Sequence, residues 1–236
     1  MTQTTATILD THIISANNAI GTVIWMHGLG ADQHNFDSIV PDLCDENKLP
    51  LTFIFPNAPV RPVTINNHQH TRAWYDIFSL TDLEKEDEHG LALSQKHINQ
   101  LIHNEIQRGV PANKIVLAGY SQGGAMALYT GIRFNQSLAG ILALSCYLPL
   151  FQMHQKVMAD ENINTPIFMA HGTHDDVLPC FAGKMAYDVI QHTHPNTRWH
   201  EYTMTHEICA KEVRDIRHWL TDIFTGECCA SSHTGS

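Results

Sequence analysis

The sequence predicts a mostly parallel central β-sheet with helices on both faces, in one α/β domain over residues 1–224. Three observations carry this. Short apolar runs rich in β-branched residues alternate with longer helical patterns, as expected of parallel strands joined by crossover helices. The runs are continuously apolar, as strands covered on both faces require. The composition, 43% hydrophobic and 16% charged over 236 residues, suits a single sizeable core and excludes disorder as the default.

Taken in order, residues 8–14 fit an antiparallel opening strand. Thr22-Val23-Ile24-Trp25-Met26 and Leu51-Thr52-Phe53-Ile54-Phe55 are the first two central strands. Lys114-Ile115-Val116-Leu117-Ala118 is the third, and residues 140–144 and 166–170 follow. The shorter, more polar run 198–202 reads as an edge strand. Helices are expected over 91–108, 125–134, 181–192 and 206–224. In the first of these Leu93, His97, Leu101 and Ile102 lie near helical spacing, and Gly109 and Pro111 stop it. Residues 56–79 form an unusually long connection ending in Trp74-Tyr75-Asp76-Ile77-Phe78, too aromatic for a disordered linker. The acidic stretch 82–89 reads as a solvated lead-in to a helix, and residues 225–236 as a polar, disordered tail holding Cys228 and Cys229.

The formal net charge of −10 argues against nucleic acid or an anionic membrane as the main partner. The N-terminus lacks a basic segment followed by an apolar run, and no stretch approaches the roughly 18 apolar residues of a membrane span. The six cysteines are scattered in a chain too long to need staples, so they read as reduced thiols. The expected location is cytoplasmic, with no integral membrane association.

The chemistry starts at Gly119-Tyr120-Ser121-Gln122-Gly123. This G-x-S-x-G lies between a strand and a helix, as in the nucleophile elbow of an α/β-hydrolase fold. Glycine lets the helix start close against the strand. Serine is a weak nucleophile alone and needs a base and an acid, in the chain order serine, acid, histidine. The strand 166–170 runs into His171-Gly172-Thr173-His174-Asp175-Asp176, and the strand 198–202 into Thr203-Met204-Thr205-His206. At the C-terminal edge of a parallel sheet such loops converge. Ser121 would attack an acyl carbon, His206 would move the proton, and a carboxylate would fix the imidazole tautomer. Position alone does not choose between Asp175 and Asp176. Two backbone N–H groups should hold the oxyanion, one from Gln122 and one from Leu29 in the loop His27-Gly28-Leu29-Gly30-Ala31. His27 is expected to support that loop.

The 17 histidines include His171-x-x-His174, His68-x-His70 and His192-x-His194. The first belongs to the acid loop and the others lie in polar stretches, so no metal site is expected. The reaction needs no cofactor.

The chain resembles the acyl-protein thioesterase and carboxylesterase (phospholipase/carboxylesterase) family of α/β-hydrolases. The resemblance rests on His27-Gly28-Leu29-Gly30, Pro56-Asn57-Ala58-Pro59, Arg72-Ala73-Trp74-Tyr75-Asp76 and Gly119-Tyr120-Ser121-Gln122-Gly123-Gly124. It continues through Leu144-Ser145-Cys146-Tyr147-Leu148-Pro149 and His171-Gly172-x-x-Asp175. It implies Ser121, Asp175 and His206 as the catalytic residues, and so prefers Asp175 over Asp176. It also implies hydrolysis of acyl esters and thioesters, including those of lipidated proteins and lysophospholipids, through a shallow apolar groove, often by a homodimer. Leu29, Trp74, Ile77, Phe78, Leu148 and Leu178 are the apolar residues expected near that groove. Two positions depart from the family pattern. Asp176 stands where proline is common, and Tyr147 where tryptophan is common, which leaves acyl-chain preference open. The alternatives are a short-chain detoxifying esterase or lactone hydrolase and, more remotely, a non-catalytic binding module on a hydrolase scaffold.

Overall fold

The apolar runs form strands. In chain order these are β1 (Thr11–Ile14), β2 (Gly21–Met26), β3 (Leu51–Pro56), β4 (Val60–Val63), β5 (Gln69–Arg72), β6 (Ile115–Tyr120), β7 (Gly140–Leu144), β8 (Ile167–Gly172) and β9 (Thr197–Tyr202). The structure is a computed structural model that describes residues 9–44, 47–79 and 85–226. Seven strands make the main sheet in the order β1-β3-β2-β6-β7-β8-β9. All neighbours are parallel except β1, which runs antiparallel to β3. The polar strand β9 lies at an edge.

The helices are α1 (Val40–Leu43), α2 (Glu88–Gln107), α3 (Gln122–Gly131), α4 (His154–Val157), α5 (Cys180–Ile190) and α6 (Ala210–Thr225). Successive side chains on a strand face opposite ways, and the core divides accordingly. Ile24, Leu117, Ile141 and Met169 pack with residues of α2, α3 and α5. Their neighbours Val23, Val116, Leu142 and Phe168 pack with residues of α1 and α6. Each central strand thus buries both faces, which is why it reads as an unbroken apolar run.

Several boundaries differ from the sequence reading. α3 starts at Gln122, directly after Ser121, and ends at Gly131. α6 starts only at Ala210, which leaves His206 in a loop. In α2 the buried stripe is Leu91, Ser94, Ile98, Leu101, Ile102 and Glu105. Leu93 is 38% exposed; it lies off the stripe, on the side of the helix that carries the exposed Lys96. The long connection 56–79 contains the antiparallel hairpin of β4 and β5, which prolines at Pro56, Pro59 and Pro62 concealed.

The acidic stretch is less solvated than predicted, because its charges are used. Asp87 caps α2 by accepting from Gly90 N–H at 2.8 Å and also accepts from Asp76 N–H at 2.9 Å. Glu86 accepts from Leu150 N–H at 2.8 Å. Residues 82–84 lie outside the described residues, as does the expected tail from 227 onward with Cys228 and Cys229. Among the described residues no helix is long and apolar enough to cross a membrane.

Glu212, in the first turn of α6, is buried. Burial pushes its carboxyl pKa up to about 8, whereas an unfolded glutamate titrates near about 4.3. Between those values the native protein keeps a proton that the unfolded chain loses, so stability falls as pH rises through that window and then levels. The expected result is that Glu212→Gln unfolds at the wild-type temperature near pH 4 and at a higher one at pH 8. Thermal melts across that range check it, and a pH-independent difference would contradict it.

Candidate active site

β6 delivers Ser121 to the C-terminal edge of the sheet. Its φ of 54° is in the left-handed region, which costs a non-glycine residue energy. The turn is held by Ser121 N–H donating to Leu144 C=O at 2.8 Å and by Ala125 N–H donating to Ser121 C=O at 3.0 Å. The flanking glycines are there for contact. A Cβ on Gly119 would sit 2.1 Å from the Gly123 carbonyl oxygen, and one on Gly123 would sit 2.2 Å from the Met26 carbonyl oxygen.

The loops after β8 and β9 bring Asp175 and His206 to this serine. His206 Nε2 is 3.0 Å from Ser121 Oγ. His206 Nδ1 is 2.7 Å from Asp175 Oδ2. Facing a carboxylate, Nδ1 carries the proton, which leaves Nε2 as an acceptor for the serine hydroxyl. An imidazole so held can take up the serine proton and stay oriented as it charges. Asp175 is buried and Asp176 is exposed. Val177 and Leu178 N–H groups donate to Asp175 Oδ1 at 3.0 and 2.8 Å, which fixes the carboxylate plane.

His171 completes the support of Asp175, a role the sequence reading did not give it. It is fully buried, and burial lowers its pKa. Its Nε2 lies 2.8 Å from Leu178 C=O and 3.2 Å from Asp175 Oδ2. Two acceptors at one nitrogen put the proton there. Gly183 on α5 makes room, since a Cβ would come 2.3 Å from His171 Nδ1.

The loop after β2 passes beside the serine. A Cβ on Gly28 would be 3.3 Å from Ser121 Cβ, and Gly30 has φ +77°. His27 braces this loop. Its Nδ1–H donates to Gly28 C=O at 2.7 Å, and its Nε2 accepts from Ala58 N–H at 3.0 Å. Burial lowers its pKa, consistent with a neutral ring. Leu29 borders the same groove as Ser121 and Gln122. The Gln122 side chain is a strut, with Oε1 accepting from Trp74 N–H at 2.9 Å and Nε2 donating to Tyr75 C=O at 2.8 Å. Its backbone N–H is at the start of α3, where no intrahelical acceptor exists.

The groove holding Ser121 and His206 has a volume of about 290 Å³. Leu29, Ile77 and Leu178 line it, as do Tyr75, Tyr147 and Val177. Three residues expected there are elsewhere. Trp74 is fully buried behind the groove, its indole N–H donating to His27 C=O at 2.9 Å. Leu148 lines a neighbouring cleft, and Phe78 a small crevice beside Glu86. A larger depression of about 480 Å³ involves Ala139, Pro166 and Asn196, at the N-terminal ends of β7, β8 and β9. Ligands of open α/β sheets bind at the opposite edge, and none of the catalytic candidates lines that depression.

Among the described residues one group of side chains beside β1 is close enough to share an ion. The cluster there is His12, His34 and Asp37, which the sequence reading did not single out. Asp37 pairs with His12 Nε2 at 3.4 Å and with His34 Nδ1 at 3.0 Å.

Residues 11–223 match the family described as Phospholipase/Carboxylesterase. Acyl-protein thioesterase 1 of Neurospora crassa is 39% identical over 210 residues, covering 85% of this chain and 86% of that protein. Acyl-protein thioesterase 1 of Yarrowia lipolytica is 36% identical over 206 residues, covering 85% and 91% respectively. The crystal structure of Zea mays acyl-protein thioesterase 2 superposes with a TM-score of 0.81 at 25% identity, covering 91% of this chain and 99% of that one. Arabidopsis thaliana SOBER1 gives 0.80 at 26% identity, covering 86% and 98%.

Proposed function

The chain belongs to the phospholipase/carboxylesterase family and is an ester or thioester hydrolase, and from that premise we propose that Ser121, His206 and Asp175 carry the reaction through a covalent acyl-enzyme. The observation that supports this most directly is the unbroken relay from Ser121 Oγ through His206 to Asp175, at 3.0 and 2.7 Å. Ser121 Oγ attacks the acyl carbon while its proton moves to His206 Nε2. The oxyanion of the tetrahedral intermediate is held by the Leu29 and Gln122 backbone N–H groups. Collapse breaks the bond to the thiol or alcohol, which leaves with the proton from His206. A water then gives its proton to His206 and attacks the acyl carbon. The acid is released and Ser121 regains its proton.

The proposed substrate is an acyl chain in thioester linkage to a protein. The names of the curated relatives and the apolar lining of the groove support that reading. Cytoplasmic residence and a homodimer belong to the same proposal. The first is supported by Cys146, Cys180 and Cys209, which form no disulfide among the described residues; the second rests on the family resemblance.

A fluorophosphonate probe is expected to form one covalent adduct, on Ser121, with loss of acyl hydrolysis. Peptide mass spectrometry reads the site. An adduct on another serine, or none, would overturn the assignment.

A further inference from the structure

Away from Ser121, three metal-ligating side chains meet at one edge of the sheet. His12 stands on the edge strand β1, and His34 and Asp37 lie on the segment that follows the Leu29 loop. His12 Nε2 faces Asp37 Oδ1 at 3.4 Å, and His34 Nδ1 faces Asp37 Oδ2 at 3.0 Å. The centres of the two imidazole rings are 4.5 Å apart. One ligand atom from each residue lies within 4.8 Å of the other two. The backbones are placed independently of this cluster. β1 sets His12 opposite Phe55, and His34 N–H donates to Asp32 Oδ1 at 2.9 Å. Gln33 N–H donates to Asn57 Oδ1 at 3.0 Å. Two acceptors beside the rings, Asp37 Oδ1 and Gln33 Oε1, are shielded from solvent yet accept no hydrogen bond among the described residues.

We propose that His12, His34 and Asp37 bind a zinc ion that pins β1 to the 32–37 segment. Two imidazoles and a carboxylate are a donor set that suits zinc. Ligand atoms about 2.1 Å from a tetrahedral ion stand about 3.4 Å apart, close to the separations already present. His34 is exposed and the other two are half-buried, so side-chain adjustment completes the fit. The ion gives Asp37 Oδ1 the partner it lacks. Gln33 gives the outer support. Its Nε2 lies 3.4 Å from His34 Nε2, and a half-turn of the amide puts Oε1 there instead, to accept from His34 Nε2–H. The Nδ1 lone pair is then free for the ion, as where an outer group fixes the tautomer of a ligating histidine. His12 ligates through Nε2 with its proton on Nδ1. A water takes the fourth position. The site is structural and does not depend on the acyl-enzyme reading of Ser121. The pinned segment includes Asn35, which lines the groove that holds Ser121.

The test is a zinc titration of the full chain, free of any polyhistidine tag, in competition with a chromophoric zinc indicator at neutral pH. His12→Asn and His34→Asn are each expected to weaken binding of the tightest zinc equivalent at least tenfold. His68→Asn with His70→Asn, which removes another histidine pair, is expected to leave it unchanged. Neither ligand histidine is buried, so the variants should fold, and melting temperatures in the presence of EDTA check this. Asp37→Asn, which keeps the shape of the side chain, replaces either histidine variant that fails to fold and carries the same expectation. Ligand variants that bind zinc as tightly as wild type would place the ion elsewhere and overturn the proposal. So would a wild type that takes up no zinc below about 100 µM.

Discussion

Ser121→Ala is expected to lower kcat by about 10⁴ to 10⁶ and to leave the fold intact. The change removes one oxygen, whose partner is His206 Nε2. The elbow does not depend on that oxygen. The backbone bonds from Ser121 N–H to Leu144 and from Ala125 N–H to Ser121 remain, and alanine keeps the same Cβ in the same positive-φ turn. Residual activity should come from the oxyanion donors and the groove, which can still bind substrate and polarise its carbonyl. Steady-state hydrolysis of p-nitrophenyl butyrate, with circular dichroism as the folding control, measures this. A variant within tenfold of wild type would mean that another group performs the attack.

Asp175→Asn is expected to cost about 10⁴ in kcat, the scale seen when a triad carboxylate becomes an amide. The cause lies in the hydrogen bonds around the side chain. Val177 and Leu178 N–H groups both donate to Oδ1, so the amide oxygen must take that position. The amide NH₂ then faces His206 Nδ1 and His171 Nε2, at the position of Oδ2. A donor facing Nδ1 moves the imidazole proton to Nε2, where it points at Ser121 and cannot accept. Asp176→Asn is expected to stay within about twofold, because Asp176 is exposed and acts on His206 only through solvent. A reversed pair of results would assign the acid to Asp176.

The parts of the site that were legible in sequence share one property: chain position alone constrains them. A serine between two glycines after an apolar strand announces the elbow. An acid after β8 and a histidine after β9 follow because parallel strands end their loops at one edge. The groove lining was harder. Trp74, Ile77 and Phe78 sit within five residues of one another, yet Trp74 is buried against His27, Ile77 faces the groove, and Phe78 faces a separate crevice. Side-chain direction in an irregular loop has no period to read. His171 was hidden for a related reason, since its partners Leu178 and Asp175 reach it only when the loop folds back.

By itself the sequence determined the strand and helix order, the two-sided burial of the sheet, Ser121 and His206 as catalytic candidates, and an acid at position 175 or 176. These follow from local rules: apolar runs of strand length, turn residues, and a fixed chain order around one sheet edge. Only the tertiary structure decided which aspartate is buried and how its carboxylate is turned. It also decided which aromatic residues meet the substrate. Those features depend on contacts between segments tens of residues apart, as in the 3.0 Å bond between Tyr75 and Tyr147. Such a contact forms after packing has brought the segments together.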